Sequence, residues 1–190
     1  MADQRIRLSG NNVGHQPDRR VRRTRAALIH AYNWLVLNGR KRRIGVADIV
    51  AEAKVGRSTF YEHFGSAEAL HMQALAGPFS ILADAAAGHG DETRLTNLLK
   101  HFWDNRRRAR DTLTSRTGEK AANLLAELVE ERLDGQALHL PKPLAAQQLA
   151  QAALAPVRGW LMAAAPSDAA ALAGAIVRAG RALRDSLSLD

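Results

Sequence analysis

Cysteine is absent from the 190 residues of this chain, which removes disulfides, thiol nucleophiles and thiolate metal ligands together. That absence suits a reducing compartment, and a cytoplasmic location is the expectation. No run of 18 apolar residues occurs, so no membrane contact through a spanning helix is expected. The stretch MADQRIRLSGNNVGHQPDRR lacks the apolar middle of a signal peptide. Seven histidines are present, yet there is no HExxH pair, no phosphate-cradling glycine-rich loop and no nucleophile elbow. No catalysis, no cofactor and no bound metal are therefore expected.

What is present is a strongly uneven charge. Residues 1–65 hold 13 Lys and Arg against 5 Asp and Glu, a net of +8, whereas residues 66–190 hold 14 against 14. A compact segment of +8 gains free energy by releasing the counterions condensed on nucleic acid, and a neutral segment does not. The division suggests a polyanion-binding module followed by a module with another task. The competing reading is a solvated basic surface kept for solubility.

Residues 1–18 are rich in Gly, Asn, Gln and Arg with almost no large apolar residues, the composition of a disordered tail. Next, RRTRAALIHAYNWLVLNG places Leu28, Ala31, Tyr32, Leu35 and Val36 at helical spacing, and Asn38-Gly39 supplies a left-handed stop. The basic linker RKRRIG leads to VADIVAEA, a short helix with Val46, Ile49 and Val50 inward. Lys54-Val55-Gly56 then forms a tight connection to GRSTFYEHF, where Phe60 and Phe64 share one face and Arg57, Ser58, Tyr61 and Glu62 point elsewhere. Two short helices joined by so short a turn make a helix-turn-helix.

The order of features over residues 25–70, namely Arg25, Ala31-Tyr32, Gly39, Val46, Asp48-Ile49, Glu52-Ala53, Val55 and STFYEHFGSAEAL, resembles the DNA-binding domain of the TetR (tetracycline repressor-like) transcriptional regulators. The pairing of Phe60-Tyr61 with His63-Phe64 before a helix capped at Ser66 is its most specific part. Gly45 and Gly56 depart from the family, which carries a hydroxyl residue at each of those helix starts, and Ala67 stands where it carries Lys. A glycine can cap a helix but offers no side-chain oxygen to a phosphate. The loop Arg40, Lys41, Arg42 and Arg43 and the arm Arg19, Arg20, Arg22, Arg23 and Arg25 are the candidates for compensating charge.

The resemblance implies an all-α protein, with a recognition helix at residues 56–62 that lies in the major groove of double-stranded DNA. Its DNA-facing candidates are Arg57, Ser58, Thr59, Tyr61 and His63, supported by Gly45, Val46, Lys54, Arg42, Arg43, Arg23 and Arg25. Arg57 is either a base reader, its planar fork matching the two acceptors of guanine, or a phosphate contact. Tyr61 and His63 are either phosphate donors or packing partners. The arm either enters a minor groove or touches phosphates diffusely.

The neutral remainder reads as helices near 66–75, 78–87, 92–109, 117–133, 141–164 and 168–187, with a kink at Pro156 and nothing that reads as strand. The expected division is a tail over 1–18, a helix-turn-helix domain over 19–65 completed by the helix 66–75, and a second helical domain over 76–190. Leu149, Val157, Trp160 and Leu161 form one stripe and Leu172, Ile176 and Leu183 another. Such stripes are either internal core or a homodimer face, and the resemblance implies dimerisation by the last two long helices. It also implies an apolar pocket for a small-molecule effector of unknown identity. Phe79, His101, Phe102 and Trp103 are the residues available to line it, if they are not ordinary core. The functional expectation is a repressor released from a palindromic operator by that effector. A DNA-binding regulator without an effector and an architectural DNA-binding protein are the alternatives.

Overall fold

The computed structural model describes residues 16–38, 44–115, 117–163 and 167–189. Among these the architecture is all-α: the elements are helices joined by turns, apart from one isolated antiparallel bridge between Leu138 and Ser188. None of the described helices is long and apolar enough to cross a membrane. The chain divides into two compact units, Met1–Leu70 and His71–Asp190.

The first unit contains α1 (Gln16–Asn38), α2 (Val46–Ala53), α3 (Arg57–His63) and the first turn of α4 (Ala67–Ala86). Its core is small: Leu28, Ala31 and Tyr32 of α1, Ile49 of α2, Phe60 of α3, and Phe64 and Leu70 are buried. Leu35 and Val36 are half-buried on the same face of α1, as the helical spacing predicts. The helix starts earlier than expected, so residues 16–18 are helical backbone and not part of the tail. Pro17 stands in the first turn, where its missing N–H costs nothing and its fixed φ suits the helix. Residues 39–43, with Arg40, Lys41, Arg42 and Arg43, lie outside the described residues, as does the remainder of the tail.

The second unit holds the rest of α4 together with α5 (Glu92–Asp104), α6 (Arg106–Thr114), α7 (Thr117–Arg132), α8 (Lys142–Leu161) and α9 (Ala169–Leu187). α7 packs along α8, α5 along α9, and α8 against α9. Two aspartates begin helices in the manner that sequence favours: the Asp91 carboxylate accepts from the Arg94 N–H at 2.9 Å and Asp168 from the Ala171 N–H at 2.7 Å. Arg132 ties α7 to α4, donating to Asp84 at 2.6 Å and to the Ser80 hydroxyl at 2.7 Å. α9 crosses α4 closely, because a Cβ at Gly180 would stand 2.1 Å from the Ala85 carbonyl oxygen.

Two expectations are corrected here. The helices expected at 66–75 and 78–87 are one, α4, which continues through Pro78. A proline removes a single helical hydrogen bond, and burial of Ala74, Phe79, Leu82 and Ala83 holds the helix on both sides of it. The helix expected over 92–109 breaks at Asn105, whose side-chain amide donates to the His101 carbonyl at 3.0 Å; such a local bond competes with the helical one. The stripe residues Leu149, Val157, Trp160, Leu161, Leu172 and Ile176 are all buried within the single chain, with Leu183 half-buried beside them. Within the single chain they belong to the core of the second unit.

Candidate nucleic-acid interface

The helix-turn-helix is built from short-range hydrogen bonds. Asp48 of α2 reaches back to accept from the Gly45 N–H at 3.0 Å, fixing the start of a helix whose cap residue has no side chain. At the other end Lys54 adopts a left-handed conformation, φ 54 and ψ 43, and the Val55 N–H returns to the Val50 carbonyl at 3.1 Å. A non-glycine residue held left-handed costs about 1 kcal/mol, and here it redirects the chain within one residue toward Gly56, the cap of α3.

α3 is a seven-residue helix anchored by aromatic rings. Phe60 is fully buried, its ring 5.9 Å from Phe64 and 5.3 Å from Tyr61, the latter edge-to-face. Burying Phe60 leaves the opposite side of so short a helix to water. Arg57, Ser58, Tyr61 and Glu62 are exposed there, Tyr61 at 57%, while Thr59 and His63 are half-buried. Lys54 and Gly45 are exposed nearby in the chain and Val46 is half-buried. Ser66 accepts from the Ala69 N–H at 3.0 Å and so caps α4, as its position in the sequence predicts.

Arg19, Arg20, Arg22 and Arg23 are exposed on α1. Arg25 is different: it turns inward, donates to the His63 carbonyl at 2.7 Å and lies 4.4 Å from the Phe64 ring centroid. It satisfies a carbonyl at the C-terminal end of α3 that the helix itself cannot. Spacing alone did not distinguish Arg25 from its neighbours.

The residues expected to line an effector pocket are mostly packed. Phe79 and Phe102 are buried in the core of the second unit. His101 is half-buried beside Asn105. Trp103 stacks on Trp160 with centroids 4.7 Å apart, under the Arg106 guanidinium at 5.1 Å. A cleft of about 510 Å³ lies elsewhere in this unit, between the end of α6, the first turns of α7 and one face of α8, and none of these four residues borders it. No group of His, Asp and Glu among the described residues could hold a metal ion.

No family model matches the sequence, and no curated protein matches it. Solved structures do match. A TetR-family repressor from Dietzia, AlkX, is 17% identical with a TM-score of 0.55, over 86% of this chain and 96% of that one. A TetR-family regulator from Streptomyces coelicolor is 22% identical with a TM-score of 0.52, over 90% and 99%. A TetR transcriptional regulator from Streptococcus agalactiae is 23% identical with a TM-score of 0.50, over 86% and 97%. The chain has the all-α fold of the TetR-family transcriptional regulators.

Proposed function

We propose that this protein is a sequence-selective DNA-binding transcriptional regulator, a homodimeric repressor released from a palindromic operator by a small molecule. The observation that carries the reading is α3. A helix fixed by Phe60 presents Arg57, Ser58 and Tyr61 to water, in the segment that holds all of the chain's excess positive charge, as a reader of base edges would. The likeness of its fold to regulators supports the same reading.

Within this proposal Arg57, Ser58 and Thr59 face base edges. Tyr61, His63, Lys54, Gly45 and Val46 lie along the phosphates. Arg19, Arg20, Arg22 and Arg23 of α1 act on phosphates too, since a helix roughly 10–12 Å across does not enter a minor groove about 6 Å wide. Arg25 works indirectly, by holding the end of α3. The partner faces are the exposed sides of α8 and α9, with Ala152 and Ala155 on one and Ala171, Ala175, Ala179 and Ala182 on the other. Small side chains let helices of two copies approach closely.

A gel-shift assay against the DNA flanking the protein's own gene tests this reading. The expected result is a complex resistant to random competitor, on a site with two-fold symmetry, whose log affinity falls linearly with log salt. Equal affinity for any sequence would mark an architectural binder, and no binding at low salt would overturn the proposal.

A further inference from the structure

The cleft of the second unit is lined by chemistry that does not suit an apolar ligand. Glu119 and Asn123 stand four residues apart on α7, and Gln147, Gln151 and Arg158 recur at intervals of four and seven on α8. Each set therefore shares one face of its helix, and all five residues border the same space of about 510 Å³. The space is a groove open to solvent, and Glu119, Asn123, Gln147 and Gln151 are exposed along it. Glu119, Asn123, Gln147 and Gln151 make no side-chain hydrogen bond to the protein among the described residues. An aliphatic or aromatic guest would take water from these groups and return no hydrogen bond.

Arg158 supplies the directional element. It is half-buried, and its Nη2 donates to the Gly118 carbonyl at 3.0 Å, which pins the guanidinium beside the first turn of α7. Its Nε is sealed from solvent with no acceptor. Arg158 borders the cleft, and a guanidinium matches a ligand carrying two acceptor oxygens, the geometry of a carboxylate. The N-terminal end of α7 favours negative charge at the same place. Glu119 and the amides opposite offer acceptors and donors for a polar body.

We infer that this cleft binds a small, multiply hydrogen-bonding carboxylate of the hydroxy-acid or amino-acid class, its carboxylate on Arg158 and its hydroxyl or amino groups on Glu119, Asn123, Gln147 and Gln151. The inference deepens the regulator reading and rests on it only for the consequence that occupancy changes DNA affinity. A ligand shifts that affinity by no more than its preference for one conformation over the other.

Calorimetry and thermal shift on the full chain test it, with malate and glutamate as carboxylate probes, ribitol as a neutral polyol, and decanol and 2-naphthol as apolar probes. Saturable binding of malate or glutamate at micromolar to millimolar concentration, weakened at least tenfold by Arg158→Lys, is the expected result. The choice between them separates the two acid classes. Because loss of the Gly118 contact can unsettle α7, the exposed pair Gln147→Leu and Gln151→Leu supplies an independent readout and is expected to weaken binding by a similar factor. Binding by the apolar probes or ribitol alone, or carboxylate binding unchanged by the glutamine pair, overturns the inference. Binding that leaves operator affinity unchanged upholds the cleft and overturns effector control. No carboxylate binding by a chain that still selects its operator overturns the cleft and leaves the regulator reading standing.

Discussion

Arg25 lies with its guanidinium 4.4 Å from the ring centroid of Phe64 while donating to the carbonyl of His63 at 2.7 Å, so a residue of α1 fastens the end of α3. A cation over an aromatic face contributes about 0.5–2 kcal/mol, and a hydrogen bond from a charged donor about 1.5–3 kcal/mol. Arg25→Ala is expected to lower stability of the first unit by about 2 kcal/mol, measured by chemical denaturation. DNA binding should fall for specific and random sequences alike, because the reader is loosened and no base contact is lost. Arg25→Lys should recover only part, since lysine lacks the planar fork. A fully stable Arg25→Ala with selective loss on operator DNA would instead make Arg25 a direct contact.

Arg57 has the opposite character, standing exposed in the first turn of α3. Arg57→Ala is expected to cost about 1–3 kcal/mol per half-site on operator DNA and to relax base preference at one position of each half-site. Arg23→Ala, on an exposed face of α1, should weaken all sequences similarly and lessen the salt dependence. A selection experiment over randomised sites, read beside titrations at several salt concentrations, separates the two behaviours. If Arg57→Ala weakens specific and random DNA equally, it is a phosphate contact.

The helix-turn-helix could be read in the sequence because its determinants are local: Ile49, Phe60 and Phe64 mark the buried faces, and Lys54-Val55-Gly56 leaves no room for another structure. The boundaries of α7 and α9 were legible to within a residue, 117–133 expected against Thr117–Arg132 and 168–187 against Ala169–Leu187. What depends on partners distant in the chain was not. Nothing near Pro78 reveals that burial on both sides of it carries α4 through, and nothing near Arg25 reveals the ring that receives it. The stripes of α8 and α9 identified buried residues correctly but not what buries them, since periodicity is the same for a core within one chain and a seam between two. The polar cleft is not legible in the sequence, because Gln147, Gln151 and Arg158 look like an ordinary solvated face until α7 lies opposite.

Gly180 makes a sharp test of the packing of α9 on α4. An alanine there would place its Cβ 2.1 Å from the Ala85 carbonyl oxygen and 2.9 Å from that of Ala86, backbone atoms that cannot swing aside. Gly180→Ala should cost about 2–3 kcal/mol and lower the Tm by roughly 10 °C, although alanine is the better helix former. Gly56→Ser is the contrasting case. The φ of −77° suits any residue and the nearest contact to a new Cβ is Ser58 Oγ at 3.5 Å, so a gain of several tenths of a kcal/mol from the cap hydroxyl is expected. Calorimetric scans of both variants check the pair of signs, and a neutral Gly180→Ala would mean that α9 can move away from α4 at little cost.

The oligomeric state turns on which faces of α8 and α9 remain free once the core is made. Leu149, Val157 and Leu172 are buried already, so Leu149→Ala should cost about 2–5 kcal/mol by opening a cavity, with no direct effect on pairing. The alanines on the outer faces behave otherwise. Ala175 and Ala155 are exposed in the single chain, and an isolated subunit would tolerate arginine at either with a change of about 0.5 kcal/mol or less. In a homodimer closed by these helices, arginine at a two-fold face brings like charges and bulk together where the backbones must approach closely. Ala175→Arg is therefore expected to give a folded monomer by light scattering, with unchanged helical content by circular dichroism and operator affinity reduced at least a hundredfold through loss of the second reader. A variant that remains dimeric and binds operator normally would move the partner interface off α9.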